Sequence, residues 1–405
     1  MNISIIEGGV TAPKGFLASG IHCGIRKNKT KKDLALIISD RPAYAAAVYT
    51  QNIVKGAPLI VTKKNIANKT ARAVICNSGN ANTCNPNGIE IAEKMCSLVA
   101  TATGVSDTDV IVASTGVIGQ PLDCNIIERA MCNLVNGLGN NSKDASEAIM
   151  TTDTKRKEIA VRFELDGKAC SIGGIAKGSG MIHPNMATLL VFLTTDVAIC
   201  PSLLQEAIDD DVKHSFNMVS IDGDTSTNDM MCILANGAAM NAEITKNDSN
   251  FETYKAALKL VTTQLCKMIA KDGEGAKKLI ECAVYGGKSE SVAKDVAKSV
   301  IKSSLLKAAI GGADANWGRV LCAIGYSGVN LDITKIDVTF KSVNGSVNVC
   351  KNGVGVQFDE ILAREILLAD EITIDIELND GAFTATAWGC DLTEGYVEIN
   401  GQYRS

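Results

Sequence analysis

Short runs of apolar and β-branched residues, bounded by Gly, Asn and Asp, constrain the fold of this chain more than any other feature. Such runs predict buried strands. They cover residues 34–38, 45–49, 73–76, 110–113, 160–163 and 188–193. Apolar residues at helical spacing predict a helix over residues 89–102, and a clearer one carries the stripe Phe251, Tyr254, Leu258, Val261, Leu265 and Met268. Strands that alternate with helices indicate an α/β fold.

The second helix provides a signal for where it ends. We expect its end at Lys271-Asp272-Gly273, because lysine favours the last turn and glycine can adopt the left-handed conformation after it. Glu274 would then lie in a tight turn. The composition changes near residue 285, and a strand-rich region follows over residues 336–376. We therefore predict a core domain over residues 1–285 and a smaller α/β domain over residues 286–405.

Composition excludes several classes of protein. The 405 residues are 46% hydrophobic and 21% charged, as in a folded chain of two or three domains. A net charge of −5 without a long basic run argues against a nucleic-acid partner. No segment approaches the ~18 apolar residues of a membrane span, and the N-terminus lacks a secretory pattern. We expect a cytoplasmic protein.

Cysteine and histidine residues do not predict a metal site. The 14 cysteines are scattered singly, with no CxxC pair. Most lie among apolar residues, where a thiol behaves as a small hydrophobic side chain. The 3 histidines, His22, His183 and His214, share no ligand spacing. We expect neither a structural zinc ion nor a disulfide framework.

Residues 177–190 form the strongest candidate for chemistry, since a loop of small residues leads there into an apolar strand that begins at Thr188. A threonine hydroxyl needs a base, and cleavage of the Ala187–Thr188 peptide bond would supply one as the new α-amine. That amine has a pKa of about 7.7–8.0 and is partly neutral near neutral pH. By itself, the segment is more typical of a threonine that opens a strand and forms hydrogen bonds in the turn.

Three other polar segments each allow two interpretations. Residues 114–119 follow a strand and either stabilise an oxyanion or form an ordinary turn. Residues 77–83 either line a polar pocket or hydrogen-bond within their own turn. Residues 222–229 lack the closing glutamate of an EF-hand loop, so the expectation there is a helix N-cap at Ser226 or Thr227.

Taken together, these motifs resemble the ornithine acetyltransferase family of arginine biosynthesis, the bifunctional glutamate N-acetyltransferases/amino-acid acetyltransferases. The resemblance extends along nearly the whole chain. It rests on residues 15–25, 77–82, 114–116, 150–154, 177–190, 222–229, 316–319, 390–393, 396–397 and 399–400. It implies an αββα-type layered core with a second, smaller α/β domain. It also implies self-cleavage between Ala187 and Thr188 into an alpha chain, 1–187, and a beta chain, 188–405, assembled as a heterotetramer.

The resemblance also implies the roles of individual residues. Thr188 is the expected nucleophile, and Thr115 and Gly116 are the expected oxyanion hole. The expected substrate-binding residues are Thr151, Lys177, Thr188, Glu274, Asn400 and Ser405. From charge, we expect Lys177 to meet an α-carboxylate and Glu274 to meet the side-chain ammonium group of ornithine.

The implied reaction moves acetyl from N2-acetyl-L-ornithine to L-glutamate through an acetyl-threonine ester, without a metal or redox cofactor. Use of acetyl-CoA as a second acetyl donor is left open. The sequence leaves two alternatives. One is an autoprocessed aminopeptidase or amidohydrolase that passes the acyl group to water. The other is a binding protein in which Thr188 is only a strand residue.

Overall fold

The computed structural model describes residues 2–183 and 189–402. The strands are β1 (Ser4–Ile6), β2 (Phe16–Ile21), β3 (Leu34–Tyr49), β4 (Thr70–Asn80), β5 (Val110–Val117), β6 (Lys157–Leu165), β7 (Lys168–Lys177), β8 (Leu190–Thr195), β9 (Val219–Ser220), β10 (Met230–Ala235), β11 (Leu279–Gly287), β12 (Asp337–Ser342), β13 (Gly345–Lys351), β14 (Val354–Gly355), β15 (Glu371–Glu377) and β16 (Phe383–Cys390). The helices are α1 (Ala57–Asn65), α2 (Gly88–Thr103), α3 (Cys124–Asn136), α4 (Ser142–Ala148), α5 (Pro201–Asp211), α6 (Ser249–Lys271), α7 (Glu290–Lys302), α8 (Ser304–Gly311), α9 (Trp317–Gly325), α10 (Glu360–Leu367) and α11 (Glu394–Gly401).

The chain divides into two compact units. The first unit takes the described residues of 1–178, 184–216 and 225–265. The second takes those of 179–183, 217–224 and 266–405. The main division therefore lies within α6 rather than near residue 285, which belongs to β11 of the second unit. Composition did not indicate the two short segments, because residues distant in sequence join the second unit by tertiary contacts.

The first unit contains a nine-stranded sheet in its described part, in the order β1-β6-β7-β8-β10-β3-β4-β5, with β2 also paired to β3. β4 and β5 are parallel, as are β8 and β10. The predicted runs 34–38 and 45–49 are two parts of the single strand β3. Its pairing with β4 shifts register between Ile38 and Ala43, so the strand continues through an irregularity.

Alternating side chains of this sheet build two apolar layers. On β5, Val110 and Val112 pack in one cluster with buried residues of α2 and α3, such as Met95 and Ile127. The intervening Ile111 and Ala113 pack in a second cluster, which also contains residues of β7, β8 and β10. This second core therefore extends across the sheet from β5 to β7. Helices α2 and α3 cover β5 in the first cluster and α6 packs against β7, as expected for an αββα-type layered core.

Helix α6 confirms the predicted stripe over most of its length. Phe251, Tyr254, Leu258, Val261 and Leu265 are each 0% exposed. Met268 is half-buried, and Ile269 takes the buried position instead. Because 3.6 residues make one turn, a stripe continued over more than four turns drifts around the helix by about one position.

The second unit contains a seven-stranded sheet in its described part, in the order β14-β13-β12-β15-β11-β16-β9. Within this sheet, β11 is parallel to β15 and antiparallel to β16. Helix α7 packs against β11 and β16, and α10 packs against β12 and β13. The predicted strand-rich region 336–376 contains β12 to β15 together with α10, so this unit is also α/β.

Candidate active site

The structure places the predicted site residues in three groups. Thr115, Gly116, Thr151 and Lys177 belong to the first unit. Glu274 and Asn400 belong to the second unit. Ala187, Thr188 and Ser405 lie outside the described residues.

Thr115 and Gly116 lie where β5 ends beside its parallel neighbour β4. The register pairs Ser78 with Thr115 and Gly79 with Gly116. Gly116 has φ +133°, and a Cβ built on it would lie 2.3 Å from the backbone carbon of Gly79. Only glycine fits this approach without displacing the neighbouring backbone. Thr115 is 9% exposed, so only a small part of its surface is accessible to solvent.

The neighbouring polar segment, residues 77–83, hydrogen-bonds mainly to its own surroundings. Nδ2 of Asn77 donates to the carbonyl oxygen of Asn80 at 2.9 Å, and Oγ of Ser114 donates to Oδ1 of Asn77 at 2.6 Å. Oγ of Ser78 donates to the carbonyl oxygen of Ala148 at 2.7 Å. These contacts match the second interpretation, in which the polar side chains form hydrogen bonds within and next to their own turn. They also hold the ends of β4 and β5 rigidly.

Asp153 links two of the predicted substrate-binding positions. Its Oδ2 accepts from the N–H of Thr151 at 2.9 Å, and its Oδ1 accepts from the N–H of Gly178, next to Lys177, at 2.8 Å. Oδ1 also forms a salt bridge with Nζ of Lys157 at 2.7 Å. Burial opposes the charge, but the ammonium groups of Lys157 and Lys177 hold the pKa of Asp153 well below its usual value. The carboxylate therefore stays ionised.

Lys177 ends β7 and is 9% exposed. Its backbone pairs with Leu190, two residues beyond Thr188. Asp229 is 3% exposed, and its Oδ2 has no hydrogen-bond partner among the described residues. Burial raises the pKa of Asp229 well above its usual value, although a hydrogen bond with Ser226 and the charge of Lys177 oppose the shift. Lys177 is thus a nearly buried basic residue beside a buried carboxyl group, a type of residue suited to recognition of an anionic group.

The predicted N-cap at Ser226 or Thr227 is wrong, because the segment leads into strand β10. The side chain of Ser226 instead accepts from the N–H of Asn228 at 3.2 Å and stabilises a turn. Asp222, at the start of the same polar segment, belongs to the second unit. Its carboxylate accepts from the N–H groups of Met181 at 2.5 Å and Ile182 at 2.9 Å. Asp222 thereby holds the chain just before the expected cleavage site.

Glu274 lies in the predicted turn after α6. It is 7% exposed, and its N–H donates to the carbonyl oxygen of Ser179 at 2.9 Å. Nδ2 of Asn400 donates to Oε2 of Glu274 at 2.7 Å. A buried carboxylate with one fixed donor is oriented to receive a cation. The structure thus brings Glu274 and Asn400 into contact, and their role in substrate binding stays a prediction.

The glycine that takes the left-handed conformation after α6 is Gly275, with φ +72°, and not Gly273 as predicted. A Cβ on Gly275 would lie 2.4 Å from the backbone nitrogen of Tyr396 at the start of α11. A Cβ on Gly273 would lie 2.7 Å from Sγ of Cys390. Both glycines therefore permit close packing, and the sequence could not tell which of them needed a positive φ.

Within the second unit, Asp222, Gly275 and Tyr396 help to line a cleft of about 1050 Å³. Burial, with the nearby carboxylates of Asp222 and Glu274, raises the pKa of Tyr396 to about 12. Its hydroxyl therefore stays protonated at neutral pH. His183 is also neutral there, since burial and the charges of Lys298 and Lys302 lower its pKa to about 4.

The sequence singled out the motifs that contain Asp153 and Asp222 but not the roles of these two residues. Their signal is an acidic residue two or three positions from small polar residues, which is also common in ordinary turns. The described residues contain no group of three or more His, Cys, Asp or Glu suited to a metal ion. All 14 cysteines are free thiols. No helix within the described ranges is long and apolar enough to cross a membrane.

Known proteins resemble this chain over nearly its whole length. A sequence model of the ArgJ family matches residues 17–405. The arginine biosynthesis bifunctional protein ArgJ 1 of Clostridium acetobutylicum is 48% identical over 395 residues, 96% of each chain. ArgJ of Caldanaerobacter subterraneus is 46% identical over 405 residues, 100% of each chain. A chain in the crystal structure of ArgJ from Bacillus halodurans is 43% identical in sequence and superposes with a TM-score of 0.50. The match covers 52% of this chain and 97% of the Bacillus halodurans chain. The chain belongs to the ArgJ family.

Proposed function

We propose that this chain transfers the acetyl group of N2-acetyl-L-ornithine to L-glutamate in arginine biosynthesis. The observation that carries the proposal is the family match over residues 17–405, and the relatives are named bifunctional proteins of arginine biosynthesis. In the first step Oγ1 of Thr188 attacks the acetyl carbon, the C–N bond to ornithine breaks, and the leaving amine takes the hydroxyl proton. In the second, the amine of glutamate attacks the ester, the C–O bond breaks, and Thr188 regains its proton.

Thr115 and Gly116 are the proposed oxyanion hole. Each acetyl-transfer step passes through a tetrahedral oxyanion. Hydrogen-bond donors that are already fixed in place stabilise this charge more than water does, because they need not reorient during the reaction. The turn is rigid because Gly116 lies against the backbone of Gly79 and because Ser114 is hydrogen-bonded to Asn77. A preorganised turn of this kind supports the role.

The proposed substrate contacts separate by charge. Lys177 receives the α-carboxylate that ornithine and glutamate share, and its nearly complete burial strengthens that contact. Glu274 receives the side-chain ammonium group of ornithine, with Asn400 orienting the carboxylate. Thr151, whose N–H is fixed on Asp153, and Ser405 complete the proposed binding set. Thr188 belongs to this set as well as being the nucleophile.

We also propose that the precursor cleaves itself between Ala187 and Thr188. The α-amine freed by this cleavage is the base that activates the Thr188 hydroxyl. In the Bacillus halodurans crystal structure, 97% of the matched chain aligns with only 52% of this chain. Such coverage is expected where the polypeptide is present as two chains. Two alpha and two beta chains form the proposed heterotetramer.

The proposed cycle requires no metal or redox cofactor, since the threonine itself carries the acetyl group. Acetyl-CoA is proposed as a second acetyl donor, because the relatives are named bifunctional. Attack of Thr188 on the thioester would yield the same acetyl-threonine ester, with the CoA thiol as leaving group. We propose the cytoplasm as the location of the protein. The family match favours this acetyltransferase over an aminopeptidase or amidohydrolase.

The test combines the intact mass of denatured protein with product analysis. Wild-type protein is expected as two chains, the larger beginning at Thr188, and is expected to gain one acetyl group when incubated with N2-acetyl-L-ornithine alone. Addition of L-glutamate should remove that group and yield N-acetylglutamate. Release of free acetate at an equal rate without glutamate would indicate the hydrolase instead.

Two variants of the nucleophile complete the design. Thr188→Ala should stay a single chain without acetyl transfer, because it has no hydroxyl. Thr188→Ser is the matched control, since it keeps the hydroxyl and should still cleave and transfer, more slowly. An uncut Thr188→Ala protein with wild-type activity would contradict the mechanism.

A further inference from the structure

The side chain of Asn228 makes four hydrogen bonds within the first unit. Its Nδ2 donates to the carbonyl oxygen of Ala81 at 2.6 Å and to that of Ser114 at 2.9 Å. Its Oδ1 accepts from Oγ1 of Thr83 at 2.5 Å and from Oγ1 of Thr227 at 2.6 Å. Asn228 thereby holds the chain at the residue just before Thr115.

The orientation of this amide is fixed by its partners. Two hydroxyl groups face Oδ1 and two carbonyl oxygens face Nδ2. A flipped amide would place its oxygen against both carbonyl oxygens, acceptor against acceptor, and lose those two hydrogen bonds. Asn228 is 5% exposed, and a Cβ built on Gly56 would lie 2.6 Å from Nδ2. The side chain is therefore closely packed and nearly excluded from solvent.

Asn228 connects strands that are not neighbours in the sheet. It lies two residues before β10, whereas Ala81 follows β4 and Ser114 belongs to β5. In the sheet order, β3 and β4 separate β10 from β5. Backbone pairing therefore relates the start of β10 to the end of β5 only indirectly, through β3 and β4. The amide of Asn228 joins these two points directly.

The start of β10 is also joined to the start of β8. Met230 pairs in parallel with Leu190, and the N–H of Met230 donates to the carbonyl oxygen of Leu189 at 2.9 Å. Leu189 directly follows Thr188 in sequence. A short covalent and hydrogen-bonded path therefore leads from Ser114, through Asn228 and Met230, to the residue beside the proposed nucleophile.

We propose that Asn228 is a positioning residue that fixes the Thr115–Gly116 turn relative to the start of β8. This inference rests on the proposed function and adds to it a residue that touches no substrate. An oxyanion donor is effective only at hydrogen-bond distance from the developing charge. A small displacement of the turn should therefore slow acetyl transfer while leaving the substrate contacts of Lys177 in place.

The test compares Asn228→Asp with Asn236→Asp. Asn236 is a matched control, because it follows the other end of β10 and is also buried. Its Nδ2 likewise donates to a backbone carbonyl oxygen, that of Lys14, at 2.9 Å. Both substitutions keep the size of the side chain and remove the donors. kcat and KM are measured for N2-acetyl-L-ornithine with glutamate, per mole of two-chain protein counted by intact mass, alongside the melting temperature.

For Asn228→Asp we expect kcat to fall about 10- to 100-fold. This loss is at most about as large as the loss from deleting an oxyanion donor, because the donors remain but are displaced. KM should change less than about threefold. Asn236→Asp should lower the melting temperature comparably but keep kcat within about twofold. An unchanged kcat for Asn228→Asp, a loss confined to KM, or an equal loss of kcat in Asn236→Asp would each overturn the proposal.

If Asn228→Asp yields no folded protein, Thr83→Val decides the matter. Valine matches the shape of threonine and removes one donor to Oδ1 of Asn228, so the same fall in kcat should occur with a smaller magnitude. A Thr83→Val enzyme with wild-type kcat would reject the inference. Failure of the proposed function itself is distinguishable, because wild-type protein would then form no acetyl-Thr188.

Discussion

The carboxylate of Glu274 lies directly against the α-carbon of Gly180. A Cβ built on Gly180 would lie 2.2 Å from Oε2 and 2.3 Å from Cδ of Glu274. Even the smallest side chain at position 180 would thus occupy the space of the carboxylate. Glycine is required here by the close approach of Glu274, since Gly180 itself has no positive φ.

Gly180→Ala should therefore displace the Glu274 carboxylate from Asn400. Because a hydrogen bond to a charged group contributes about 1.5–3 kcal/mol, we expect KM for N2-acetyl-L-ornithine to rise about tenfold or more. KM for glutamate should change little, since glutamate has no side-chain ammonium group. Steady-state kinetics with each substrate varied in turn provide the measurement. Gly325→Ala is the control, because nothing lies within 4 Å of its added Cβ; equal effects of both variants would refute the relationship.

Asp153→Asn should destabilise the protein strongly. It removes the negative charge from a pair in which Lys157 is 1% exposed, and an unpaired buried ammonium group costs about 3–5 kcal/mol. Urea denaturation gives the free energy of unfolding. The double variant Asp153→Asn/Lys157→Met should recover part of the loss, because it no longer buries an unpaired charge. A single variant as stable as wild type would show that the pair is not stabilising.

Asp222→Asn should slow the proposed self-cleavage. The carboxylate accepts from the N–H groups of Met181 and Ile182, and an amide can accept at only one of its two positions. The fraction of uncut chain, followed by intact mass after synthesis, should rise. Asp332→Asn is the control, since Asp332 also accepts from a backbone N–H, that of Thr334, but on an exposed turn. Cleavage at the wild-type rate in Asp222→Asn would argue against this anchor.

Asp211 should make folding less favourable as the pH rises. Burial raises its pKa to about 6 from 3.8, although hydrogen bonds from Ser215 and Thr262 oppose the shift. The folded state therefore binds this proton more tightly, and stability falls as the pH rises from about 3.8 to about 6. At 1.36 kcal/mol per pKa unit the loss is about 3 kcal/mol.

The corresponding variant is Asp211→Asn, which keeps the shape of the side chain but cannot ionise. Its free energy of unfolding should match that of wild type near pH 4 and exceed it above pH 6. Asp210→Asn, on the exposed side of the same helix, should show no such divergence. Parallel stability curves for Asp211→Asn and wild type from pH 4 to 8 would disprove the assigned shift.

The sequence was most informative where structure depends on local pattern. The strands at residues 73–76 and 110–113 could be predicted because strands buried on both faces are continuous apolar runs. The helix stripe from Phe251 to Leu265 could be predicted because burial of one helix face imposes a period of about 3.6 residues. The turn at Glu274 was predictable because it directly follows the end of this long amphipathic helix. The role of Asn228 was not, since a polar residue in a Gly- and Asp-containing loop is also typical of an ordinary turn.

The sequence by itself determined the α/β class, the main elements and, through ordered motifs along nearly the whole chain, the family. The tertiary structure decided which distant residues act together. Only the fold shows that Asp153 joins Thr151 to Gly178, that Asp222 holds the chain before the expected cleavage site, and that Asn228 spans from β10 to β5. The physical reason is that local pattern records burial, whereas a hydrogen bond between residues far apart in sequence depends on where the folded backbone places its donors and acceptors.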